Sequence, residues 1–341
     1  MTGAVSGRRL AVVGPTFFSY TQAIVAEFQR RGVSIVATFD EKHSNRVHDK
    51  ILYRLGLAHH RLSALPRHLR AVTDGIIAAS ATDVLLVGVE VIDRAFVERL
   101  VQRDIRVHFY TWDGTANKDR FLSYLDLLSS RATFDPSDAA RHAMAYVPLF
   151  AEAVFDERRH VSAPSRDLDV GFCGTVHSSR ADIVTALMDV ERPRPLRLQL
   201  MLYYHSRRLF ALKALVSASA KRLLPQISDR SFSKEAIAAM FARSRYILDV
   251  PHPGQAGMTA RTFEALLAGA RLLTFGPAAR TLLPDSFADR IATVTDAMEL
   301  GRIDFDVAAP LPPLTDGQRY FLSIERFVDQ LLTLMMPDPE D

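Results

Sequence analysis

The stretch from Ser244 to Thr274 constrains the fold more than any other part of the chain. Tyr246 to Val250 is an apolar, β-branched run too short for a helix, and Pro251 and Pro253 stop it because neither can donate to a sheet ladder. It reads as a strand ending in a loop. Gly254 and Gly257 would let that loop bring its backbone close to a ligand, and Thr259 can cap a helix carrying Phe263, Leu266 and Leu267 on one face. Gly269 closes the helix, and Leu272 to Thr274 begins the next parallel strand. Exposed N–H groups at the helix start, with His252, Gln255 and Arg261 near them in sequence, favour an anion such as phosphate. Any connection of this kind needs a turn, a cap and an apolar face, and Arg261 and Glu264 are spaced to pair on the helix surface. The functional groups gathered around two glycines exceed what a connector requires.

The rest of the chain repeats the pattern. Strands are expected at Arg9–Val13, Val33–Phe39, Asp83–Val89, Ile105–Tyr110 and Arg131–Phe134. Helices are expected at Gln22–Arg31, Leu65–Ala79, Arg94–Gln102, Arg120–Leu128 and Pro136–Ala143. Alternation predicts an open parallel sheet with helices on both faces. It is interrupted between Phe150 and Asp167 and then restarts with a strand at Asp169–Phe172 and a helix at Arg180–Val190. One or two helices at Leu196–Leu224, a helix at Lys234–Arg243 and a closing helix at Asp316–Leu334 are expected beyond these. At 341 residues the chain is about twice the usual domain size. Two domains are predicted, 1–160 and 161–341, with the closing helix free to pack on the first.

Composition excludes several classes. A net charge of +3, with no basic block interleaved with aromatics, gives no nucleic-acid surface. Cys173 is the only cysteine, so no intramolecular disulfide exists, in keeping with a reducing compartment. The apolar run Leu10–Val13 is too short for a signal peptide, and no segment reaches the roughly 18 apolar residues of a membrane span. The expected location is the cytoplasm, with at most peripheral membrane contact.

Asp249 to Gly257, in the pattern Asp-x-Pro-His-Pro-x-Gln-x-Gly, followed by Arg-Thr-Phe-Glu-x-Leu-x-x-Gly from Arg261 to Gly269, resembles the nucleotide-sugar half of GT-B glycosyltransferases. The resemblance is closest to bacterial enzymes of capsule and lipopolysaccharide synthesis. It implies two Rossmann-like domains with parallel sheets facing across a cleft, Glu264 holding the nucleotide ribose and the glycine loop approaching the diphosphate. The large retaining families carry another Glu eight residues before the position of Glu264. Here that residue is Ala256, which tilts the expectation towards inversion.

Other strand ends carry further candidates. Gly14 follows the first strand, but Pro15 to Ser19 lacks the spaced glycines of a dinucleotide fingerprint, and Phe17 is read as acceptor-facing or as packing. Gly174, Thr175, His177 and Arg180 follow the first strand of the second half and can meet an anion. The related capsule enzymes show a similar Gly-Thr-x-His-x-x-Arg. Trp112 and Asp113 end a strand of the first half, where open α/β sheets bind ligands, and an aromatic face beside a carboxylate suits a sugar ring. Asp113 is the first candidate for the base that deprotonates an acceptor hydroxyl, with Glu90 and Asp135 competing and a turn-capping role open for Asp113 itself.

No metal set and no cofactor is predicted. Asp167 and Asp169, like Asp304 and Asp306, are placed by strand alternation on a solvated edge, and the histidines, His59 and His60 included, are not spaced as ligands. The basic stretch from Arg192 to Arg222 contains Leu198, Leu200, Leu202, Leu209, Leu212 and Leu215. It can be a solvated helix with buried leucines or a face for anionic lipid. The expected activity is transfer of a sugar from a nucleotide-sugar to a saccharide or glycolipid hydroxyl. An epimerase or hydrolase on the same architecture and a non-catalytic nucleotide-binding protein are the alternatives.

Overall fold

The structure, a computed structural model, describes residues 7–15, 19–43, 64–116, 118–160, 166–176, 180–252, 254–306 and 311–336. The chain divides into two units. The first comprises Met1–Leu149, Gly254–Gly257 and Ile324–Asp341, and the second Phe150–Pro253 and Met258–Ser323. The division falls at Leu149 and Phe150 where the sequence reading puts it at 160, and the chain returns to the first unit twice.

In the first unit, β1 (Arg9–Val13), β2 (Ser34–Phe39), β3 (Asp83–Val87), β4 (Arg106–Thr111), β5 (Ser130–Thr133) and β6 (Ala145–Tyr146) form a parallel sheet in the order β2-β1-β3-β4-β5-β6. Every residue of β3 is buried, as expected of a central parallel strand covered on both faces. Helices α1 (Tyr20–Arg30), α2 (Leu65–Ala78), α3 (Arg94–Val101) and α4 (Pro136–His142) connect the strands. Their apolar faces supply Leu69, Ile76, Phe96 and Leu100 to a core shared with Val84, Leu86, Val107 and Phe109. The order reverses between β1 and β3, the point at which open parallel sheets place a ligand crevice. Arg120–Leu127, expected as an α-helix, is a 3-10 helix.

The second unit holds β7 (Leu168–Thr175), β8 (Leu198–Tyr203), β9 (Ile227–Ser228), β10 (Ser244–Asp249), β11 (Arg271–Thr274) and β12 (Ile291–Thr293), again parallel, in the order β12-β11-β10-β7-β8-β9. Its helices are α5 (Arg180–Met188), α6 (Arg207–Ala214), α7 (Ala218–Leu223), α8 (Lys234–Arg243), α9 (Ala260–Leu267), α10 (Ala278–Leu282) and α11 (Asp316–Leu322). The reversal lies between β7 and β10, paired with Ile247 opposite Gly171. Gly171 admits that close pairing, because a Cβ there would lie 2.5 Å from the Ser244 hydroxyl. Both sheets have the Rossmann-like layout that the sequence implies.

Two expected helices are corrected. Leu196–Leu224 begins with a strand, β8, because Leu198, Leu200 and Leu202 repeat at a period of two and lie in register with Val170, Phe172 and Gly174. The closing helix is two helices. Ser323 adopts extended backbone (φ −85°, ψ 159°), pairs with Ala151 and ends α11, and α12 (Ile324–Met335) follows as part of the first unit. There α12 sets Phe327 against Tyr110, ring centroids 4.8 Å apart. Arg31 of α1 bonds Asp329 at 2.9 Å. Asp169, expected on a solvated edge, is fully buried and accepts from Arg194 (2.6 Å) and Arg197 (3.2 Å). Burial would raise its pKa, and the two arginines outweigh it and hold the carboxyl well below the usual range. No described helix is long and apolar enough to cross a membrane.

Candidate functional site

The C-terminal ends of β7 and β10 bring together most of the described residues expected to meet a nucleotide. Asp249, the last residue of β10, is buried. Its Oδ2 accepts from the hydroxyls of Thr259 (2.9 Å) and Thr262 (3.4 Å). Thr259 also caps α9, its Oγ1 accepting from the Thr262 N–H at 3.3 Å. The strand end thus aims the helix start. Arg261, in the first turn of α9, stops short of a close pair with Asp249, its Nη1 being 3.9 Å from Oδ1. Its guanidinium lies 5.6 Å from the Phe172 ring centroid. Both Asp249 Oδ1 and Arg261 Nε are buried without a hydrogen-bond partner. Burial raises the Asp249 pKa, against the pull of Arg261 and the threonine hydroxyls.

Arg180 opens α5 beside the same strand ends. Its Nε and Nη2 donate to the Val250 carbonyl at 3.0 and 2.8 Å, and Nη1 reaches the Thr175 carbonyl at 3.5 Å. Burial lowers its pKa, and Arg261 adds to the lowering because two guanidinium groups share the site. Gly174 borders Arg261, since a Cβ there would be 3.8 Å from Nη1. Cys173 is buried on the same strand, and burial pushes its thiol up. Glu264 is buried one turn into α9, and His252 is exposed in the loop. Arg261, spaced along the chain to pair with Glu264, also approaches Asp249. His177 and Phe17 lie outside the described residues.

The two loop glycines differ in what surrounds them. Gly254 has φ +82°, a backbone that glycine adopts without strain, and a Cβ there would meet nothing. A Cβ on Gly257 would lie 2.6 Å from the Phe134 carbonyl oxygen, so this glycine admits a close approach of protein backbone within the first unit. Asp135 secures that approach. Its Oδ1 caps α4 by accepting from Ser137 N (2.9 Å) and Asp138 N (3.3 Å), and its Oδ2 accepts from Ala256 N (3.1 Å) and Gly257 N (3.2 Å). Both oxygens of this buried carboxylate are taken by backbone donors, so it stands as an anchor rather than as the base. Gln255 donates to the Gly257 carbonyl at 2.9 Å and shapes the same loop.

Asp113 and Glu90 are bridged in the first unit. Lys118 Nζ bonds Asp113 Oδ2 at 2.6 Å and also bonds Glu90, whose other oxygen takes Lys42 at 2.6 Å. Burial would raise the Glu90 pKa, and the two lysines overcome it and lower it. Lys118 is raised, its two carboxylate partners outweighing its burial. Trp112 packs its indole on the backbone of Gly88 (φ +58°), where any side chain would overlap the ring. Behind this cluster Glu41 is fully buried and accepts from Glu90 N (2.6 Å) and Val91 N (2.8 Å). Burial pushes its carboxyl up to about 7.

The sequence reading gave no role to Lys42, Lys118, Glu41 or the Asp249 carboxylate. Asp249 had a signal, its position at the end of an apolar run two residues before Pro251. The lysines had none, because loop residues far apart in sequence meet only in the fold. Among the described residues no group of three or more His, Cys, Asp or Glu side chains is placed to hold a metal.

The sequence matches no protein-family model and no curated protein. Solved structures do match over nearly the whole chain. UDP-GlcNAc 2-epimerase from Neisseria meningitidis bound to UDP-GlcNAc aligns with a TM-score of 0.59 at 11% identity, covering 97% of this chain and 100% of that one. A glycosyltransferase from Rickettsia africae aligns with a TM-score of 0.58 at 10% identity, covering 97% and 99%. The trehalose-6-phosphate synthase structure from E. coli, bound with UDP-2-fluoro glucose, aligns with a TM-score of 0.61 at 12% identity, covering 97% and 99%. The chain therefore has a GT-B glycosyltransferase-like fold of two Rossmann-like units.

Proposed function

We propose that this protein is a glycosyltransferase that moves a sugar from a nucleotide-sugar to a hydroxyl of a saccharide or glycolipid in bacterial surface polysaccharide synthesis. The observation that carries the reading is the pair of partly buried arginines, Arg180 and Arg261, at the strand ends of the second unit, served by one buried carboxylate that Arg261 only approaches. A partly exposed cation with one buried, unsatisfied N–H at a helix N-terminus is suited to a diphosphate. Fold neighbours that carry UDP-sugars support the same ligand class.

In this reading the diphosphate lies against Arg261 and the first turn of α9, and Glu264 meets the ribose. As the glycosyl bond breaks, charge grows on the leaving diphosphate, and donors already in place stabilise it without reorganising. Asp113, held by Lys118, accepts the proton of the acceptor hydroxyl, and Trp112 offers an aromatic face to the acceptor sugar. Arginines and helix dipole carry the charge, so turnover is expected to persist in EDTA. Loss of activity on chelation would overturn that part of the mechanism.

Thermal-shift titration with nucleoside diphosphates tests the ligand class, because a ligand bound only by the folded state raises the melting temperature with concentration. Glu264→Ala is expected to weaken nucleotide binding in calorimetry while the protein stays folded, and unchanged affinity counts against the site. Product analysis with and without acceptor separates transfer from the second reading, a nucleotide-sugar epimerase, which the epimerase fold neighbour supports. Donor consumed equally without acceptor would favour the epimerase. Nucleotide binding with no turnover at all would identify a binding protein.

A further inference from the structure

Four of the eight large apolar side chains exposed among the described residues fall within one short segment: Leu209, Leu212, Leu215 and Val216. Their exposures rise along it from 49% to 61%, 79% and 89%. The segment is ordered by its own caps. Ser206 accepts from Leu209 N to start α6, Ser217 accepts from Ala220 N to start α7, and the turn between them is closed by Leu215 N and Val216 N donating to the carbonyls of Leu212 and Lys213. Phe210, Ala214, Ala220 and Leu223 hold this hairpin to the core, so the exposed residues are its outer face. A helix that buries one apolar stripe and presents another has a surface for which the fold supplies no cover.

The segment itself carries charge of one sign, with Asp182 of α5 and Asp189 just after it reaching only Ser219 and Arg222. Arg207, Arg208, Lys213, Lys221 and Arg222 surround the apolar face, and no acidic residue occurs from Arg192 to Ser228. Arg222 is engaged by Asp189 at 2.5 Å, and Lys213 lies 5.1 Å from the Tyr204 ring centroid. The side chains of Arg207, Arg208 and Lys221 have no hydrogen bond or ion pair among the described residues. We propose that the α6–α7 hairpin is a membrane-docking surface, which inserts Leu212, Leu215 and Val216 among the acyl chains at the headgroup boundary of an anionic bilayer. Exposed apolar side chains ringed by cations are the pattern of an interfacial segment, in which apolar burial and attraction to anionic lipid add. Charge complementarity selects the occupant, because the unpaired cations Arg207, Arg208 and Lys221 on a second copy of the chain would repel their own kind. The inference stands on this surface alone and is independent of the nucleotide site.

Vesicle co-sedimentation with the full-length protein tests it without nucleotide. Binding is expected to phosphatidylglycerol–phosphatidylcholine vesicles and at least tenfold less to pure phosphatidylcholine, with a marked loss at high salt. Leu212→Ser with Leu215→Ser should lower binding to the mixed vesicles at least tenfold with an unchanged melting temperature, since both side chains are already exposed. Arg207→Ser with Arg208→Ser should erase the preference for anionic lipid. The proposal is overturned if the wild-type protein stays in solution with the mixed vesicles, or if both double variants bind as it does. It is equally overturned if sedimentation shows a wild-type dimer that the leucine variant abolishes, because the face would then be covered by a second copy.

Discussion

Arg261 and Asp249 are 3.9 Å apart, each with a buried polar atom left over, whereas a stable buried pair would close that distance. Leaving the Arg261 N–H unsatisfied costs stability, and a bound anion that accepts from it would recover that part. Arg261→Ala is therefore expected to cut nucleoside diphosphate affinity about thirtyfold, or about 2 kcal/mol for a charge-assisted contact, read by calorimetry. The same substitution should leave the melting temperature of the ligand-free protein within a few degrees. Glu41 presents a different residue-scale problem, a carboxyl raised from 4.5 to about 7 by burial. Its folded form keeps a proton that the unfolded chain has already lost, so between these values the folded state binds more protons and stability falls as pH rises. The loss amounts to about 3 kcal/mol across that window at about 1.4 kcal/mol per unit. Urea unfolding at pH 5 and pH 8 measures it, and Glu41→Gln should flatten the slope. A wild-type stability equal at both values would contradict the burial of an ionisable Glu41.

At the scale of elements, Asp135 distinguishes a structural carboxylate from a catalytic one. It accepts four backbone N–H groups, two from the start of α4 and two from the loop at Ala256 and Gly257. Asp135→Ala should cost about 2 kcal/mol, the upper end for an N-cap, while Asp135→Asn keeps an acceptor and should retain turnover. A turnover collapse in the Asn variant with stability intact would return Asp135 to the list of bases. Sequence placed this residue correctly before a helix, since Pro136 follows it, and its second pair of donors, more than a hundred positions away, could not be inferred. The missed strand β8 has a different cause. Its Leu-x-Leu-x-Leu period was present, and a surrounding run of arginines drew the reading towards a basic helix. The break at Ser323 carries no proline or glycine, and only its pairing with Ala151 reveals it.

For the whole molecule, α12 carries the chain back to the first unit and buries Phe327, Val328, Leu331 and Met335 there. Phe327→Ala should destabilise that unit by about 3–5 kcal/mol through the cavity it leaves. Trp112, the only tryptophan, belongs to the same unit, so its fluorescence follows the unit's unfolding. The fluorescence midpoint should fall in the variant, and a midpoint unchanged in urea would show that α12 contributes no cohesion. Sequence by itself determined the repeated strand-loop-helix pattern, the two-unit parallel α/β class and the concentration of polar functional groups between Asp249 and Glu264. Those features are local, written in periodicity, prolines, glycines and caps a few residues apart. Only the tertiary structure decided that Gly257 and Asp135 make a backbone anchor, that lysines clamp Glu90 and Asp113, and that four apolar residues of α6–α7 face outward. These depend on which distant groups share a neighbourhood and on which are left without one, and a hydrogen bond or an exposed face is settled by packing rather than by spacing along the chain.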